Sequence, residues 1–199
     1  MKEHPMTHNP PGGGVHISDP RVQNKQMRWH VLYNLIEDNA YTKIAEIGCQ
    51  EGRTGWFLLE NSTQNDLDLT CVDPYLVYDG YGYVEPFDMS EAETQARTYL
   101  SKYIEEDRCH FVKKFSVDAA KEFEDEHFDL VFIDANHTYE FVKEDISAWY
   151  PKVRVGGVLA GHDFCNGFPG VQCAVEEYFK PLNKAVSLSH NTVWYVKRA

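Results

Sequence analysis

Two short segments, Asp134-Ala-Asn-His137 and Gly-His162-Asp163, combine two carboxylates with two imidazoles. A histidine titrates near neutrality and can take a proton from a hydroxyl as a general base, with His137 the candidate. Paired acids can hold Mg²⁺, which prefers oxygen ligands. A cation so held would orient two substrate oxygens and lower the pKa of a hydroxyl. The same residues have plainer uses. Asp134 and Asp163 could cap the helices that follow them, and His162 could be a hydrogen-bonded core residue.

A second group lies in the first half of the chain. Glu46-Ile-Gly48-Cys-Gln-Glu-Gly52 places two glycines in a G-x-x-x-G turn, where Gly48 permits a sharp bend and Gly52 lets a helix start close by. The middle glycine that a dinucleotide pyrophosphate needs is missing, which disfavours a nicotinamide oxidoreductase. Glu46 sits in an apolar run, where a carboxylate is costly unless it is paired. Asp73 follows about 20 residues after the turn, the place for an acid that accepts both hydroxyls of a ribose.

These residues need a scaffold that gathers them, and the hydropathy pattern supplies one. Buried-strand patterns occur at 43–49, 68–75, 109–115, 128–134 and 156–164, the last entered through Gly156-Gly157. Helical spacing covers 21–39, 51–62, 91–105, 117–124, 139–153 and 169–180. Ser90 and Glu93 fit a capping box. Residues 184–198 read as two strands joined at His190–Asn191. Strands alternating with helices imply a Rossmann-like three-layer α/β sandwich, with a mostly parallel sheet of about seven strands and a C-terminal antiparallel hairpin. Ligands bind beyond the carboxyl ends of such strands, where the residues singled out above fall. Trp56, Trp149 and Trp194 lie in core patterns. Residues 1–20, rich in Pro, Gly and His, read as an arm, and 21–199 as one domain. His4, His8 and His16 in that arm are too scattered for a metal site. The aromatic stretch 75–90 (Tyr75, Tyr78, Tyr81, Tyr83, Phe87) reads as a loop that could act as a lid.

Composition narrows the partners. The 199 residues carry a net charge of −12 with no basic cluster, which argues against nucleic acid and anionic membrane surfaces. No apolar run approaches the ~18 residues of a membrane span. The N-terminus lacks the apolar core of a signal peptide, and the five cysteines form no C-x-x-C pair, so a cytoplasmic protein with reduced thiols is expected. A small molecule is the expected substrate, and a homo-oligomer is compatible with this composition.

EIGCQEGRT resembles motif I of the class I S-adenosylmethionine-dependent methyltransferases, in the variant EIG-x-x-x-G-R-[ST]. VDPY resembles the acidic-loop motif that follows. SVDAAKEFEDEHFDLVFIDANHTYEFVKEDISAWYPKVRVGGVLAGHDF, PGVQCAVEEYF and VWYVKR are similar to the second half of the same family. The likeness spans roughly residues 25–199 and is most specific in 116–164. It points to the branch of macrolide-sugar and cephalosporin-pathway O-methyltransferases and, more distantly, to catechol-type enzymes. The resemblance implies S-adenosyl-L-methionine bound by Glu46, Gly48, Gly52 and Asp134, with Asp73 on the ribose and Ser116 on the adenine side. Many class I enzymes carry an acid where Ser116 stands, so adenine recognition here is expected to rest on backbone and stacking. It further implies a divalent metal held by Asp134, His162 and Asp163, where His162 in place of an acid weakens the case for Mg²⁺. The expected function is O-methylation of a small hydroxylated molecule, sugar or natural-product-like, with Asp134 and His137 catalytic. The alternative from another class is a non-catalytic module that binds the same cofactor.

Overall fold

Apolar runs with both faces buried dictate the centre of the molecule. The computed structural model describes residues 27–78, 88–189 and 192–199. Five runs form parallel strands: β1 (Lys43–Ile47), β2 (Asp68–Val72), β3 (Cys109–Val112), β4 (Phe128–Ile133) and β5 (Val153–Gly161). Two more, β6 (Ser187–Ser189) and β7 (Val193–Lys197), pair antiparallel, and β7 also runs antiparallel to β5. The strand order is β3-β2-β1-β4-β5-β7-β6. This is the Rossmann-like sheet the sequence pattern implies.

Alternation along each strand fills two separate cores. Leu130 and Phe132 of β4 point to one, and Val131 and Ile133 to the other. The first core is closed by α1 (Arg28–Asn39), α2 (Arg53–Asn61), α3 (Met89–Tyr99) and α4 (Ser101–Glu105). Helices α5 (Ser116–Ala120), α6 (Tyr139–Trp149) and α7 (Pro169–Phe179) close the second. Trp56, Trp149 and Trp194 are buried as expected.

Local details differ from the sequence reading. The helix expected over 91–105 is two helices, because Leu100 leaves helical geometry (φ −95°, ψ 3°) and drops fully into the core. Its cap is Asp88, not Ser90. The Asp88 carboxylate accepts from the amides of Ser90 and Glu91, each at 3.0 Å, and Glu93 pairs with Arg97 and Lys113 instead. Strand β5 begins at Val153, so the Gly-Gly pair lies inside it. There the β4–β5 register shifts, and a Cβ on Gly157 would lie 2.5 Å from the Asp129 carbonyl oxygen. The arm 1–20, the His190–Asn191 joint and Tyr81, Tyr83 and Phe87 lie outside the described residues. Among those described, no helix is long and apolar enough to cross a membrane.

Asp129 fastens the end of the sheet opposite the cavity described below. Its Oδ2 accepts from the amides of Thr42 (2.8 Å) and Lys43 (2.9 Å), and its other oxygen meets Arg154. Burial works against the charged form, but those amides and the guanidinium win and hold the carboxyl below its ordinary value. A depressed carboxyl stabilises the fold above its unfolded pKa and loses that contribution as pH falls through the folded value. Asp129→Ala should therefore destabilise the protein at neutral pH, and the difference from wild type should shrink as pH falls below about 4. Urea midpoints measured across that range check this.

Candidate active site

The strand order reverses between β1 and β4, and a crevice opens there beyond the strand ends. The ends are tied in a row by sideways bonds. Gly48 N donates to Val72 O (2.8 Å), Asp134 N to Ile47 O (2.8 Å) and His162 N to Ile133 O (3.0 Å). Side chains that immediately follow β1, β2, β4 and β5 thus meet around one cavity of about 460 Å³. That is within the size range of small-molecule sites.

Three non-glycine residues in these turns adopt left-handed backbone: Gln50 (φ 46°), Tyr75 (φ 50°) and Asp163 (φ 58°). Such conformations are strained and persist only where surroundings enforce them. The first two are enforced by Asp73. Its Oδ2 accepts from Gln50 N (3.0 Å) and its Oδ1 from Tyr75 N (2.8 Å). Burial raises the Asp73 carboxyl despite those amides. The Tyr75 hydroxyl then bridges to Gln50 O (3.1 Å) and lies 2.9 Å from Cys49 Sγ, locking the two turns together.

At the other end, Asp163 faces both imidazoles. His137 Nε2 lies 2.7 Å from Asp163 Oδ2, close enough for an ion pair although not aligned for a hydrogen bond. His162 Nδ1 lies 3.2 Å from the same oxygen and 3.5 Å from Asp134 Oδ1. Burial alone would lower His162, but the two carboxylates overcome it and raise its pKa to about 9. Burial likewise opposes the charged Asp163, yet the imidazoles hold it well below the usual carboxylate range. Arg28 Nε closes the group at 2.9 Å from Asp134 Oδ2. Phe168 stacks on His137 with ring centres 4.5 Å apart. Neither acid is a helix cap: α6 and α7 begin after Thr138 and Phe168.

Gly48, Asp73, Ser116, Asp134, His137, His162 and Asp163 all border the cavity. Glu46 and Gly52 stand behind it. Gly52 backs onto Ala96 and Leu100, where a Cβ would lie 3.1 Å from both. Glu46 is 4% exposed, with Oε2 unpartnered. Burial raises its carboxyl to about 8, against the pull of Arg28, Thr54 and the Gly55 amide. Ser116 uses its hydroxyl within the protein, accepting from Trp149 Nε1 at 2.8 Å, and the buried Asp145 of α6 borders the cavity beside it. Sequence reasoning missed Arg28 and Asp145. Nothing local marks Arg28, whereas Asp145 was legible as the lone acid on the apolar side of α6 with Val142, Ile146 and Trp149.

A family model described as a methyltransferase domain matches residues 45–164, more than half of the chain. The chain belongs to the methyltransferase-domain family. Within this methyltransferase domain, the matched span runs from β1 to just past Asp163. No curated protein matches the sequence. Among solved structures, the domain is similar to the O-methyltransferase NovP (18% identity, 86% of this chain and 79% of that one, TM-score 0.67). It also resembles a putative caffeoyl-CoA O-methyltransferase from Staphylococcus aureus (16% identity, 89% and 88%, TM-score 0.63). A third is a methyltransferase from Podospora anserina solved with SAH (16% identity, 90% and 82%, TM-score 0.60). At these identities the likeness is one of fold.

Proposed function

We propose that this methyltransferase domain transfers a methyl group from S-adenosylmethionine to a hydroxyl of a small molecule. The observation that carries the reading is that one cavity has Asp73 at one side and the acid–imidazole cluster at the other. Gly48, Asp73, Asp134 and Ser116 would contact the cofactor directly, while Glu46 and Gly52 support the turn from behind. The Asp73 carboxylate, already fixed by two amides, keeps lone pairs for the ribose hydroxyls. When bound, S-adenosylmethionine supplies a methyl group already activated by its sulfonium centre, so the protein's main task is positioning.

His137 accepts the proton of the acceptor hydroxyl. With Nε2 against Asp163, Nδ1 is the nitrogen that receives it. Asp163 then stabilises the imidazolium, as the buried acid does in a catalytic triad. Asp134, anchored by Arg28, borders both halves of the cavity and orients the acceptor. Asp134, His162 and Asp163 each offer one ligand atom, all within 4.8 Å of one another, and would hold a divalent metal. One imidazole among two carboxylates suits Mn²⁺, Fe²⁺, Co²⁺ or Zn²⁺ better than Mg²⁺. Such an ion would polarise the acceptor hydroxyl.

Calorimetry of the purified protein with S-adenosylmethionine, S-adenosylhomocysteine and NAD tests the cofactor. Micromolar binding of both sulfur nucleosides, and none of NAD, is the expected result. Absence of binding by either would sink the proposal. Elemental analysis of the same sample reads the metal.

A further inference from the structure

Among Asp134, His162 and Asp163, the imidazole is the group whose orientation matters most. A carboxylate presents the same two oxygens after a half-turn, whereas a half-turn of His162 would put a ring carbon where Nδ1 stands. In the structure Nδ1 faces the acids, 3.2 Å from Asp163 Oδ2 and 3.5 Å from Asp134 Oδ1. The other nitrogen, Nε2, lies 3.2 Å from Thr192 Oγ1. The local fold holds that threonine in place. Strands β5 and β7 pair antiparallel as far as Gly161 opposite Trp194. Beyond the strand ends, Phe164 N donates to Thr192 O at 2.9 Å. A Cβ on Gly161 would lie 2.5 Å from the Trp194 indole, so the glycine lets β7 close on β5. On the other side, His162 N donates to Ile133 O at 3.0 Å. The main chain is thus tied to both neighbouring strands, and the threonine hydroxyl meets the ring.

The two nitrogens have different tasks once a cation is present. A ligating nitrogen must offer a lone pair, so an ion at Nδ1 leaves the ring proton on Nε2. A hydroxyl has lone pairs to accept that proton. The His162 side chain is only 20% exposed, so the same proton without an acceptor would be costly. An outer partner on the second nitrogen both orients a ligating imidazole and raises its basicity. A carboxylate at 162 would have no such second nitrogen to hold.

We propose that Thr192, carried in by β7, is a positioning residue for the metal centre: its hydroxyl accepts from His162 Nε2 and so holds Nδ1 toward the cation. This rests on the reading of Asp134, His162 and Asp163 as metal ligands.

Calorimetry measures the Co²⁺ affinity of the full chain, and the signal lost in His162→Ala marks the ion at this site, apart from any taken up by thiols or other histidines. Thr192→Val keeps the side chain's shape and removes the hydroxyl. It should weaken the site's Co²⁺ binding by about 10–100-fold, while S-adenosylhomocysteine affinity stays within about threefold. Thr192→Ser restores the hydroxyl and should return Co²⁺ affinity to within about threefold of wild type. An unchanged Co²⁺ affinity in Thr192→Val, or a loss that serine does not rescue, overturns the proposal. So does an equal fall in Co²⁺ and S-adenosylhomocysteine affinity, the mark of a threonine that only supports the fold. A second measurement needs no variant. Nitrogen NMR of wild type loaded with Zn²⁺ should place the His162 ring proton on Nε2. A proton on Nδ1 would overturn the proposal even if Thr192→Val failed to fold. If wild type takes up no Co²⁺ that depends on His162, the metal reading itself fails and this inference falls with it.

Discussion

His137→Ala is expected to lower turnover by about 10²–10⁴-fold, the range for losing a general base, while S-adenosylhomocysteine affinity stays within about threefold. Two parts of the geometry lead to this split. The His137 imidazole lies 2.7 Å from Asp163 and stacks on Phe168, at the imidazole end of the cavity. The turn that would hold the nucleoside is built by Asp73, Gln50 and Tyr75, none of which touches His137. Turnover is measured as S-adenosylhomocysteine release against a panel of sugars, catechols and phenolic natural products. Calorimetry on the same variant supplies the affinity. Undiminished turnover would remove His137 from the chemistry, and a parallel loss of affinity would show that it shapes the cofactor site instead.

Gly48→Ala should destabilise the fold by about 2–5 kcal/mol, combining backbone strain with overpacking. Gly48 has φ 87°, and a Cβ there would lie 2.3 Å from the Asp134 carbonyl oxygen and 2.7 Å from Ala135 Cα. Both obstacles are backbone, so no side chain can rotate away. Relief requires β1 and β4 to part at the point where Asp134 is aimed, so nucleoside binding should fall with stability. Gly167→Ala is the matched control. Its Cβ would meet nothing nearer than Cys165 Sγ at 3.7 Å, and a shift within about 0.5 kcal/mol is expected. Denaturant midpoints for the pair make the comparison, and equal effects would contradict it.

Much of this was legible in the sequence because it depends on period and on strand ends. FDLVFID has no polar interruption after Asp129, so it reads as a central strand and places Asp134 at its end. Adjacency of β4 and β5 then brings Asp163 to His137, as their positions in the chain imply. What escaped depends on packing that no local pattern encodes. Leu100 continues the helical period, yet its burial beneath Gly52 breaks the helix. Glu46 was placed on the correct strand, but strand alternation turns it to the α2 side, away from the cavity. Arg28 reaches Asp134 only because α1 packs beside α2, a tertiary fact.

The order of the sheet also sets a timetable for the growing chain. The ribosome releases β1 and β2 early, and they can pair at once. The other neighbour of β1 is β4, so the centre of the sheet waits until Ile133 has emerged. Strand β7 comes later still and must enter between β5 and β6. It brings Trp194, whose indole covers Gly161, just after Thr192, whose hydroxyl lies 3.2 Å from His162 Nε2. Until then β5 presents an open edge, the feature most exposed to mispairing in a nascent chain. An unfinished copy therefore carries all four acids and imidazoles of the cluster and still lacks the strand that holds His162 in place.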